Sequence, residues 1–276
     1  HEAWRYLPFQ QLAALEYSST PHHPEFYTCP LQLEHAIVIQ CQGNSFQVVH
    51  GDVMGLEILS LAEAFSLYPN ECEAYMAKQA EQDDGFLDLN AANMHTGLWL
   101  KLKAGMHLKG PVIIHHQAQA GVMSHFRHLC VLEANSSMQL IEYFDAKTQK
   151  TSFINHASAL FIGAYADLQH YRIQDLGMHD NLQSTVITWQ EEHSSYHDFL
   201  LQLGGKIASC DLRVYAQASY TKSFLAGVFQ AKEQQFQQQR VNVIHAKAHG
   251  HSEQLYRGIV DDRAKAVFIG EVYVAP

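Results

Sequence analysis

Residues 252–274, SEQLYRGIVDDRAKAVFIGEVYV, carry the reading that decides the fold. Positions 259–260 and 267–274 are strand-like, and the adjacent acids Asp261 and Asp262 between them read as a solvated turn. Taken alone, the run is a pair of strands around a corner. Working back towards residue 96, the same texture recurs at 98–102, 112–116, 129–132, 138–144, 185–189, 199–203, 212–216 and 241–244. Many of these runs are spaced by roughly 10–14 residues. Asp211-Leu212-Arg213-Val214-Tyr215-Ala216 approximates the alternation of a half-buried strand. Serial short strands without long intervening helices predict an all-β architecture. Sandwich, barrel and β-helix all satisfy that description, and periodicity alone does not choose among them.

Residues 1–95 differ in texture. A hairpin is predicted over 35–40 and 45–50, with Gln42-Gly43-Asn44 supplying the turn. Residues 56–68 and 71–82, rich in Ala, Leu, Glu and Met and separated by Pro69-Asn70, read as helices. A third short helix is predicted over 86–94.

Composition excludes several classes. At 276 residues with 47% hydrophobic and 17% charged, the chain is too apolar and too sparsely charged for disorder. With 16 Gly and 7 Pro it is not collagen-like. Eighteen Lys and Arg against 28 Asp and Glu give −10, which is not the footprint of a duplex-DNA binder. Protonating all 19 histidines would carry the charge to +9, so solubility should change sharply around pH 5–7. The best apolar run, 157–166, is about half the ~20 residues that span a bilayer. The opening His1-Glu2-Ala3-Trp4-Arg5 lacks a signal peptide and an initiator Met, so a fragment or processed chain is expected. Five scattered cysteines without C-x-x-C predict reduced, cytoplasmic thiols.

Neither a P-loop nor a dinucleotide fingerprint is present, and there is no G-x-S-x-G or H-E-x-x-H. Gly204-Gly205-Lys206 reads as a strand-to-strand turn. His245, His249 and His251 fall within seven residues, and His115, His116, His125 and His128 form a looser group. His249 and His251 would share a strand face, but no third ligand is identifiable, so surface or satisfied core histidines are the expectation. Cys210 reads as a small buried hydrophobe. Glu191-Glu192 and Asp261-Asp262 are adjacent pairs that strands would point to opposite faces, which makes poor acid–base pairs. EQQFQQQ at 233–239 reads as a polar loop or exposed edge.

With these residues in view, the C-terminal run resembles the SufB/SufD family, which carries Y-[KR]-G-[IV]-x-x-x-x-[AGS]-x-[AG]-V-F-x-G-x-[IV]-x-V. The opening Glu2-Ala3-Trp4-Arg5-Tyr6-Leu7-Pro8 is similar to the E-x-W-[KR]-Y-x-P start of SufD proteins. Phe86-Leu87-Asp88-Leu89-Asn90-Ala91-Ala92 resembles the family's F-x-x-L-N-x-A segment, and Gly204-Gly205 fits a glycine-rich rung turn. The matches run in order from residue 1 to residue 274.

The resemblance implies a right-handed parallel β-helix over 96–276, preceded by the helical region 1–95. It also implies a scaffold subunit of SUF iron–sulfur cluster assembly, without catalysis of its own. Its implied partners are a SufB-like subunit and the SufC ATPase, with no nucleic acid and no membrane. The family continues with a K-T-D-type segment, a C-S-H-G-A-T motif and a helical domain that docks SufC. Since this sequence stops at Pro276, no catalytic or metal-ligating residue is assigned, cofactor-binding residues remain unknown, and no bound cofactor is expected. The expectation is that the chain fails to bind SufC and pairs with itself through Val267, Phe268, Val272 and Val274. Two other readings stay open, a β-helix enzyme acting on polysaccharide and a histidine-based metal-binding protein.

Overall fold

A computed structural model describes residues 5–18, 20–51, 54–94, 96–146 and 150–276, so the first four residues of the opening motif lie outside the described residues. The chain alternates between two facing eight-stranded sheets. Each coil gives one strand to either sheet. The first is β5 (Val112–Gln117) with β6 (Met123–Leu132), then β7 (Ser137–Asp145) with β8 (Ser152–Ile162), and β9 (Asp167–Asp175) with β10 (Asp180–Gln190). After these come β11 (Ser195–Gln202) with β12 (Ile207–Ala216), β13 (Lys222–Ala231) with β14 (Phe236–His245), and β15 (His251–Val260) with β16 (Lys265–Val274).

Neighbouring coils pair in parallel: Leu140 lies beside His170, His170 beside Asp198, Asp198 beside Leu225 and Leu225 beside Gln254. Those steps are 30, 28, 27 and 29 residues. The result is a parallel β-helix of about six turns. The expected β-helix is therefore the architecture, and the sandwich and barrel are excluded.

The earlier residues close one end of the coil. The predicted hairpin is β1 (Ile37–Gln42) with β2 (Ser45–His50), and β1 stacks in parallel on β5. The expected helix over 56–68 needs correction. Residues 56–68 are not one helix: β3 (Leu56–Ser60) pairs antiparallel with β4 (Thr96–Leu102), and α2 (Leu61–Leu67) begins only after it. Ser60 sets the boundary through a capping box, accepting from Glu63 N–H at 3.1 Å while the Glu63 carboxylate accepts from Ser60 N–H at 2.8 Å. A five-residue α1 (Phe9–Ala13) precedes the hairpin; α3 (Pro69–Ala80) and α4 (Gly85–Asn93) follow α2. No helix among the described residues is long and apolar enough to cross a membrane.

The F-x-x-L-N-x-A segment is the element that clips α4 onto the coil. Asp84 caps α4 by accepting from Phe86 and Leu87 N–H. Asn90 Nδ2 donates to the carbonyls of Phe126 and Asn155, on two successive rungs, at 3.0 and 2.8 Å. Arg127 answers with three bonds, to Asn90 Oδ1, Gln79 Oε1 and Leu87 O. With no carboxylate in contact among the described residues, burial lowers the Arg127 guanidinium to about 10.

The expected turn at Gly204-Gly205 is present. A Cβ on Gly204 would meet the Leu176 carbonyl of the coil below at 1.9 Å, and Gly205 holds φ +82°, so both positions need glycine. The glutamine-rich 233–239 stretch is an exposed turn only at Glu233 and Gln234 and is buried from Gln235 on, which corrects the expected loop or edge. Gln237, Gln238 and Gln239 belong to β14 and are buried, with Gln239 Nε2 donating to Gln202 Oε1 at 3.1 Å. On one corner, Tyr165, His193, Tyr220 and His249 all take φ near +60°, and their rings stack from coil to coil at 4.8 Å.

All five cysteines are free and buried. Burial pushes the Cys210 thiol up to about 12 and raises Cys41 and Cys130 as well, so these three stay protonated thiols. A thiol reagent should therefore leave the native protein untouched yet count five thiols after denaturation without reductant. A count of three or one would show a disulfide.

Candidate functional site

Adjacent strand residues face opposite ways, and this separates His115 from His116 on β5. His115 faces outward, its Nε2 2.7 Å from Asp145 Oδ1, and Tyr27 also donates to that oxygen. Burial alone would lower the His115 imidazole, but Asp145 and Cys29 beside it together outweigh that and the net shift is upward. His116 faces the interior and stacks on Phe144, with ring centroids 4.4 Å apart and planes within 8°.

Four fully buried residues meet there. His116 comes from β5, His128 from β6, Glu142 from β7 and His156 from β8, so both sheets contribute. One ligand-type atom from each lies within 4.8 Å of the others. Glu142 bridges the interior. Its Oε1 is 2.9 Å from His156 Nε2 and accepts from the Ser158 hydroxyl at 2.6 Å, while His116 Nε2 stands 4.0 Å away. Its Oε2 is 3.1 Å from His170 Nε2. Outside this first ring of contacts, His156 Nδ1 meets Ser184 Oγ at 2.9 Å and Leu98 N–H donates to His128 Nδ1 at 3.2 Å.

The polar interior continues into the next coil. His170 Nδ1 is 3.1 Å from the Tyr196 hydroxyl, which donates to Asp198 at 3.2 Å. Arg172 holds Asp198 with two bonds of 2.8 and 2.6 Å.

Electrostatics sort the group by charge. Burial pushes the Glu142 carboxyl up, but His156 and His170 facing its two oxygens overcome that and hold it well below the ordinary carboxylate value. Burial, with His156 and His128 nearby, drives His116 well below its ordinary value, and burial takes His128 down to about 3. The site is thus an ionised carboxylate ringed by imidazoles, two of which stay neutral. Neutral imidazole and carboxylate are ligands for a divalent transition metal.

The other residues singled out in the sequence do not converge. His249 stacks in the corner ladder, His251 opens β15 against Phe224, and His245 Nε2 pairs with Ser252 Oγ at 2.9 Å. Cys210 lies in the interior one rung beyond Ser184. Glu191, Glu192, Asp261 and Asp262 sit at exposed corners. Of the looser histidine group, His116 and His128 reach the site. Glu142, His156 and His170 were not picked out from the sequence. The signal for them is the coil length, since Glu142–His170 and His156–Ser184 are both separated by 28 residues.

The interior so described occupies the segment recognised by a known family. The family described as SUF system FeS cluster assembly, SufBD core domain, matches residues 114–276. The chain belongs to this SufBD core family. Two curated relatives agree. An iron–sulfur cluster assembly SufBD family protein of Synechocystis is 26% identical over 212 residues, covering 72% of this chain and 47% of the relative. The SufD iron–sulfur cluster assembly protein of Escherichia coli is 22% identical over 283 residues, covering all of this chain and 65% of its own length. The chain thus spans between about half and two thirds of the curated relatives it matches. The SufBD core segment begins at Ile114, beside His115 and His116, and includes His128, Glu142 and His156.

Proposed function

We propose that this chain is the core of a scaffold subunit in SUF iron–sulfur cluster assembly, working in the cytoplasm with a SufB-like subunit and the SufC ATPase and without catalysis of its own. The observation that carries the reading is the SufBD core match over 114–276, which coincides with the coil. The whole-chain alignment to the E. coli SufD protein favours the SufD-like member of the pair. Geometry supports scaffold over enzyme, because the titratable cluster is sealed between the sheets with His116, Glu142 and His156 all closed to water. A substrate would have no approach to it. In this reading the cluster is cargo of the complex.

Co-expression of the tagged full-length protein with SufB and SufC from the same source tests it. The expected result is a stable complex that is recovered with SufB and supports cluster formation from iron and sulfide. Recovery of the folded protein without SufB would overturn the reading.

A further inference from the structure

We propose that His116, Glu142 and His156 form a binding site for one divalent first-row transition-metal ion inside the coil, with His128 lining its fourth side. No hydrogen-bond partner among the described residues reaches either ring nitrogen of His116 or Nε2 of His128, though all three are sealed from water. Buried polar atoms are ordinarily paired, so the two unpartnered nitrogens of His116 beside one carboxylate mark a place built for something more. Glu142 has no guanidinium or ammonium partner among the described residues, since the neighbouring Arg172 gives its bonds to Asp198. A buried carboxylate is normally matched by a cation or a metal.

The surrounding contacts orient the donors as metal sites require. His156 Nδ1 is tied to Ser184 Oγ, which leaves Nε2 for the ion, and His170 fixes the other oxygen of Glu142. Metal–ligand bonds of about 2.0–2.2 Å would draw His116 Nε2 and Glu142 Oε1 together by about 1 Å from their 4.0 Å separation. In its neutral form His128 carries its proton on Nε2, because Leu98 N–H occupies Nδ1, so it borders the ion rather than binding it. Two imidazoles and one carboxylate select Fe(II), Co(II), Zn(II) or Mn(II) over calcium and magnesium. Since the site is closed, the ion is captured as the coil forms.

The test uses Co(II) as probe. The protein is refolded from denaturant with Co(II) or with chelator, freed of unbound metal on a sizing column, and assayed for cobalt content and visible d–d absorption. About one ion per chain is expected, with retained metal at least about tenfold lower in Glu142→Gln. Because that variant removes a hydrogen-bond hub, His116→Phe is the sharper probe. Phenylalanine keeps the stack on Phe144 and sacrifices no hydrogen bond, so this variant should fold in chelator as the parent does and still lose the ion. His249→Ala/His251→Ala should retain it. Wild-type protein refolding without stoichiometric cobalt, equal cobalt in His116→Phe, or loss of cobalt in the surface pair would each overturn the proposal.

Discussion

Replacing Arg172 by leucine should destabilise the fold by about 3–5 kcal/mol, the usual consequence of stripping one partner from a buried ion pair. Among the described residues Asp198 would keep only the Tyr196 hydroxyl and a 3.5 Å approach from His170 to answer a charge sealed from water. Asp198→Leu should cost a similar amount by stranding the guanidinium. Leucine at both positions removes the charges together, and the adjacent rung residue on Arg172's side is already Leu200. The double variant should recover most of the loss. Urea midpoints of the four proteins give the coupling. Additive losses in the double variant would mean that Arg172 and Asp198 act independently.

Acid should weaken the same interior by a comparable amount. His116 and His128 are held below the value they adopt when unfolded, His128 at about 3, so the unfolded chain binds protons that the folded one refuses. Their contribution is complete above about pH 6.5 and is lost as pH falls. Between pH 7 and pH 5 each histidine should remove about 2 kcal/mol, about 4 kcal/mol together. His115 opposes the trend, since its shift is upward and its pairing with Asp145 is favoured in acid. The stabilisation from Glu142 is complete above its unfolded value and is lost only below it, outside this window. Urea unfolding in chelator at the two pH values measures the loss. His116→Gln/His128→Gln should flatten the dependence, since glutamine does not titrate. An unchanged slope in that variant would place the proton uptake elsewhere.

The ends of the chain were easier to read than its interior. Residues 252–274 announce two strands and a corner because β15 and β16 keep apolar side chains at regular positions. Within the coil, three strands escaped a reading by apolar runs. Burial alternates along β9, but His170 and Arg172 occupy inward positions where leucine or valine would have advertised a strand. In β8, Asn155, His156 and Ser158 are buried polar residues, and β13 is interrupted by Ala226-Gly227. The glutamines of β14 misled for the same reason: their side-chain N–H groups find acceptors within the coil, which a local window does not see. Secondary structure was legible where burial followed hydrophobicity, and it failed where the interior is polar. The site depended on a longer distance still. His128 and His156 become neighbours only once the coil length is known, and that length is a property of the closed fold.

The stacked corner rings act as a length gauge for the chain. From Tyr165 to His193, to Tyr220 and to His249 the steps are 28, 27 and 29 residues, yet the rings stay 4.8 Å apart at every step. Coils of unequal contour length therefore arrive at the corner in phase. A residue deleted between the corner and the strand that follows would unseat one ring and advance that strand by one. Every side chain on it would then exchange faces, turning His170 or Asp198 out towards water and bringing their solvated neighbours in. The ladder penalises that slip at the first mismatched pair, before the next strand has been laid down.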